Sequence, residues 1–66
     1  MRLTVNGEER AFDTVRTVAE LIVSLGLSPL KVAVERNLEI VPRSVYGVTD
    51  LADGDRIEIV HFIGGG

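Results

Sequence analysis

The sequence contains no cysteine and no tryptophan, and only one tyrosine and two phenylalanines. Without cysteine the chain forms no disulfide, no zinc-thiolate centre, no thiol nucleophile and no side-chain persulfide. A single histidine, His61, cannot assemble a metal site by itself. Long apolar runs are missing too: Met1 to Asn6 alternates polar and apolar residues, and no later stretch reaches the length of a signal-peptide core or a membrane span. Small secreted domains usually need covalent staples, so a disulfide-free chain of this size is expected in the cytoplasm. Positive charge is scarce, with 7 Lys and Arg against 10 Asp and Glu, a net charge of −3. That balance offers no phosphate-neutralising surface, which argues against nucleic-acid binding and favours a mildly basic protein partner. No metal and no bound cofactor are expected.

What remains is a chain of 66 residues, 45% apolar and rich in Leu, Ile and Val. One domain fits in that length, and it buries only about 60% of the surface its unfolded chain exposes. Asn6-Gly7 supplies two residues tolerant of positive φ between alternating segments, which predicts a hairpin whose second strand, Glu9 to Phe12, is a charged edge. Thr17-Val18-Ala19-Glu20 has capping-box spacing, so Thr17 is the expected N-cap. Val18, Leu21, Ile22 and Leu25 then recur at i, i+3, i+4 and i+7, one apolar helical face, before Gly26 and Pro29 stop the helix. Lys31 to Glu35 alternates, with Val32 and Val34 inward and Ala33 outward, and Ile40-Val41 forms a short strand ended by Pro42. Residues 42–51 show no period beyond one helical turn around Ser44 to Tyr46. Asp53-Gly54-Asp55 is a turn, since the longer calcium-loop pattern is absent. Arg56 to Ile63 is the longest strand, with Ile57, Ile59 and Ile63 inward alongside a half-buried His61. The order is strand, strand, helix, strand, strand, strand: an α+β fold with one helix packed on a mixed five-stranded sheet. It divides into a domain over 1–63 and a glycine tail over 64–66.

Several stretches together resemble the thiamin-biosynthesis sulfur carriers, the ThiS family. They are Val32-Ala33-Val34-Glu35-Arg36-Asn37, then Ile40-Val41-Pro42-Arg43, Leu51 to Ile59 around the Asp-Gly-Asp turn, and the terminal Gly65-Gly66. The resemblance runs the length of the chain, and Val41-Pro42-Arg43 separates it best from relatives such as the small subunit of molybdopterin synthase. It implies a ubiquitin-like β-grasp with the first and last strands parallel at the sheet centre. It also implies three partners: an E1-like adenylating enzyme that uses ATP, a persulfide sulfur donor, and thiazole synthase. The chain itself is then a carrier and co-substrate, not an enzyme. Gly64 precedes the family's usual glycine pair, a small departure.

On this reading Gly66 is the adenylation and thiocarboxylate site. A C-terminal carboxylate, with an ordinary pKa of roughly 3.3 to 3.7, is an anion at neutral pH able to attack the α-phosphate of ATP. Gly64 and Gly65 carry no side chains, so with Gly66 they span roughly 10 Å of narrow channel. Ordering them there costs about 1 to 2 kcal/mol per residue, which contacts of the folded body must offset. Outward positions on the last strand are Arg56, Glu58, Val60 and Phe62. Val60 and Phe62 are apolar where solvent is expected. With Ala33 beside them and Glu35 and Glu58 as an acidic rim, they form the expected docking patch. A second copy or residues 42–51 are the alternative cover for it. Arg43 either contacts a partner or makes a local ion pair. A molybdopterin-type sulfur donor and a β-grasp binding module with incidental glycines are the competing functions.

Overall fold

The computed structural model describes residues 1–62. Asn6 and Gly7 take φ of 50° and 82°, so the chain reverses in two residues. Strand β1 (Arg2–Val5) therefore pairs antiparallel with β2 (Glu8–Ala11), Val5 opposite Glu8. The second strand starts one residue earlier than the sequence suggested. Phe12 follows it, its amide still bonded to the Met1 carbonyl at 2.8 Å while its ring is buried. All four β2 residues are exposed, and β2 forms an edge of the sheet. Arg2 pairs with Glu9 across the hairpin, giving the charged edge that resists pairing with other chains.

The helix α1 spans Val18–Ser24 behind a Thr17 N-cap. Thr17 Oγ1 accepts from the Glu20 amide at 3.2 Å, and Glu20 Oε1 accepts from the Thr17 amide at 3.1 Å and the Arg16 amide at 2.7 Å. Free donors at the helix start are thus satisfied reciprocally. Val18, Leu21 and Ile22 are fully buried. At the other end Gly26 has φ 76°, its amide bonds the Val23 carbonyl and the Leu27 amide bonds the Ile22 carbonyl. This is the paired closure that a left-handed glycine permits, and it returns Leu27 onto the core.

Lys31 closes a short 3₁₀ turn, Pro29–Lys31, and β3 runs Val32–Arg36 with Val32 and Val34 buried and Ala33 exposed. A second two-residue reversal at Asn37-Leu38, with φ of 51° and 72°, leads to β4 (Glu39–Val41). The segment that lacked a period contains a 3₁₀ helix, Arg43–Val48, longer than the single turn expected. Its buried Tyr46 donates from its hydroxyl to the Val32 carbonyl at 3.1 Å. Strand β5 (Arg56–His61) completes a five-stranded sheet of order β2-β1-β5-β3-β4. The pair β1 and β5 is parallel, and β5 is antiparallel to β3. The first and last strands thus lie side by side in the interior of the sheet. One face carries α1 and the core, centred on Leu3, Leu21, Ile22, Val32, Val34 and Ile57, each at most 1% exposed. The other face has no layer upon it among the described residues. No helix among them is long and apolar enough to cross a membrane.

Candidate functional site

The uncovered face of the sheet is set by the alternation of β5. Ile57 and Ile59 point to α1 and are buried, while Val60 and Phe62 remain 61% and 45% exposed. The ladder to β3 places Ala33 opposite Val60 and Glu35 opposite Glu58. Ala33, Glu35, Glu58, Val60 and Phe62 therefore share one face, with Glu58 the least exposed of them. Residues 43–48 pack beside α1 on the opposite side and leave Val60 and Phe62 open. Ile40, directly opposite Glu35 on β4 and 77% exposed, extends the apolar surface. Its membership went unread in the sequence because a three-residue strand has too little alternation to assign its faces.

Two residues stand elsewhere. Among the described residues Arg43 forms no ion pair; its Nε donates to the Pro29 carbonyl at 3.0 Å, tying the 3₁₀ helix to the turn before β3. His61 is exposed, not half-buried. Its inward parity with Ile59 is as expected, but α1 stops at Ser24 and leaves the end of β5 uncovered. His61 instead lines an open concavity of about 350 Å³ with Leu25, Leu27 and Arg10. Ile63, Gly64, Gly65 and Gly66, including the expected reactive carboxylate, lie outside the described residues.

The end of β5 is held firmly up to that boundary. The Phe62 amide donates to the Lys31 carbonyl at 2.8 Å. Asn6 uses its side chain like a strand residue: Oδ1 accepts from the Ile59 amide at 2.7 Å and Nδ2 donates to the Ile59 carbonyl at 3.2 Å. At the start of β5, Asp55 is buried. Its Oδ2 accepts from Arg36 Nε at 2.7 Å and the Ala52 amide at 2.8 Å, and its Oδ1 from Asn37 Nδ2 at 3.0 Å. Burial alone pushes this carboxyl up. The Asn37 amide, the Ala52 N–H and the Arg36 guanidinium outweigh it and hold the group below its ordinary value. Asn37 Oδ1 also accepts from the Arg56 amide at 2.9 Å. Asp53 Oδ1 accepts from the Arg2 amide at 2.6 Å, so the two aspartates of the turn fasten β5 to both neighbours. The sequence showed them as turn formers. Their long-range partners had no local signal, since Arg36 and Asn37 lie 18 to 19 positions away.

Chemically, the described residues offer no nucleophile-base pair and no group of three His, Asp or Glu able to hold a metal. They offer a rigid strand end beside an open apolar and acidic face. Among known proteins, the model of the ThiS family matches residues 3–66. A thiazole synthase of Paramagnetospirillum magneticum is 58% identical over all 66 residues, which span only 20% of that protein. The sulfur carrier protein ThiS of Bacillus subtilis is 48% identical over 50 residues, 76% of each chain. The crystal structure of a thiamine biosynthesis protein (ThiS) from Geobacter metallireducens superimposes with a TM-score of 0.84 at 38% identity, covering 100% of both chains.

Proposed function

The chain belongs to the ThiS family, and on that premise we propose that it is a sulfur carrier for thiamin biosynthesis whose working group is the Gly66 carboxylate. In the first step a carboxylate oxygen attacks the α-phosphate of ATP on an adenylating enzyme, and pyrophosphate leaves. A persulfide sulfur then attacks the acyl carbon and displaces AMP, giving an acyl disulfide. A second thiol takes the donor's sulfur into a new disulfide and releases the thiocarboxylate, which passes sulfur to thiazole synthase. The chain acts as co-substrate, with no bound cofactor of its own.

The observation that carries this reading is the end of β5. Phe62 is fixed to Lys31, in the turn just before β3, with exposed Val60 and Ala33 beside it, and three glycines follow in the sequence one residue further on. Docking of that face offsets the entropy of drawing side-chain-free residues into an enzyme. Intact mass spectrometry after incubation with ATP, a ThiS-adenylating enzyme and a persulfide donor tests it. The protein is expected to gain the mass difference between sulfur and oxygen on its terminal peptide, and a variant lacking Gly66 to gain nothing. An equally modified truncated variant overturns the reading.

The 58% identity to one fifth of a thiazole synthase favours a second reading, in which this sequence serves as a segment of a longer chain. There the Gly66 carbonyl sits in a peptide bond, and adenylation waits on hydrolysis of that bond. The intact mass of the protein recovered from its native cell separates the two.

A further inference from the structure

The uncovered sheet face holds an electrostatic conflict. Glu35 and Glu58 are direct partners in the β3–β5 ladder, and like charges placed directly opposite destabilise a sheet. Neither carboxylate has a hydrogen bond or an ion pair among the described residues, whose two ion pairs are Arg2 with Glu9 and Arg36 with Asp55. Neither Arg56, at the start of β5, nor Lys31, in the turn before β3, reaches ion-pairing distance of them. The two glutamates also wall a concavity of about 120 Å³ whose apolar lining comes from Ala33, Ile40 and Val60. Ile40 and Val60 are 77% and 61% exposed, so the lining is open to a visitor.

An apolar hollow between two unpaired carboxylates fits one side chain best. An arginine lays its methylene stem on apolar surface and keeps its charged head at the rim. Its planar fork of five donors serves two carboxylates at once, which the point charge of a lysine does less well. We infer that this hollow is the seat of a single arginine from the protein partner that receives the carrier, clamped between Glu35 and Glu58. The inference rests on the sulfur-carrier reading and sharpens it. The acidic pair makes a contact that slows release, beyond attracting a basic surface from a distance. The repulsion stored in the free domain is relieved only when the partner is bound.

That gives the clamp a signature in two measurements. Glu35→Gln and Glu58→Gln are each expected to raise the thermal midpoint of the free protein by about 2 °C, by removing the repulsion. Each is also expected to raise the KM of the ThiS-adenylating enzyme for the carrier about tenfold with kcat unchanged. Glu8→Gln, on the far edge strand, serves as the control of equal charge change and is expected to leave KM within about twofold. An unchanged KM in both glutamate variants overturns the clamp, as does an equal rise in the Glu8 variant, which would reduce the effect to net charge. If the wild-type protein takes up no sulfur under the same conditions, the carrier reading itself fails. If it does while both variants keep the wild-type KM, only the clamp fails.

Discussion

On β5 the residues facing α1 and those facing away differ in exposure more than in hydrophobicity. Ile57 and Ile59 are at most 9% exposed, whereas Val60 and Phe62 are 61% and 45% exposed. A half-buried antiparallel sheet ordinarily shows apolar residues on one side and polar ones on the other. Here the alternation survives at Arg56 and Glu58 and lapses at the next two outward positions, next to the end of the strand. The buried side of the strand thus maintains the domain, and the open side ends in two exposed apolar residues that add nothing to the core, which on the sulfur-carrier proposal are the surface a partner covers.

Substitutions on the two sides should separate these roles. The largest effect is expected from Ile57→Ala, which leaves a cavity under α1 and costs about 3 kcal/mol, a large share of the stability available to a domain of this size; urea denaturation measures it. Next comes Asp55→Ala, which strips Arg36, Asn37 and the Ala52 amide of their shared acceptor and costs about 2 kcal/mol. This carboxyl titrates lower in the folded than in the unfolded chain. Its contribution is therefore complete above about pH 4, the unfolded range, and is lost as pH falls through the lower folded value. Asp55→Asn should flatten that acid limb in denaturation curves recorded from neutral to acidic pH.

On the open side, Phe62→Asp is expected to change stability by less than about 0.5 kcal/mol while raising the KM for adenylation about tenfold. A normal KM in that variant removes the open face from the mechanism. The smallest effect concerns the second hairpin. Leu38 holds φ at 72° with its side chain 75% exposed, a conformation that strains a side-chain-bearing residue and gains nothing from burial. Leu38→Gly is expected to stabilise the domain by up to about 1 kcal/mol, read as a higher thermal midpoint.

The parts legible in the sequence are those whose cause is local. Asn6-Gly7 encodes its own reversal, Thr17 and Glu20 cap the helix from three residues apart, and Gly26 ends it by its own conformation. The second reversal, Asn37-Leu38, carries no glycine and is imposed from outside: Asn37 is bound to Asp55 and Arg56. Tyr46 likewise looked like part of an unpatterned stretch, because its anchor, the Val32 carbonyl, lies 14 positions away. The candidate site was read from strand parity, which placed Ala33, Glu35, Glu58, Val60 and Phe62 on one face. Parity is silent on where a neighbouring layer ends. That is why the exposure of His61 appears only in three dimensions, while Ile40 was missed because its three-residue strand shows too little alternation to assign a face.

The parallel pairing of β1 with β5 also has a mechanical side. Traction applied at Phe62 and resisted by the body of the domain runs along the axis of β5. Its hydrogen bonds to β1 and β3 lie across that direction, so they carry the load together instead of opening one after another. The side-chain clasp of Asn6 on Ile59 adds two more bonds in the same orientation. On the sulfur-carrier proposal, in which a partner draws in the residues that follow in the sequence, the strand is placed to resist in shear without peeling from the sheet.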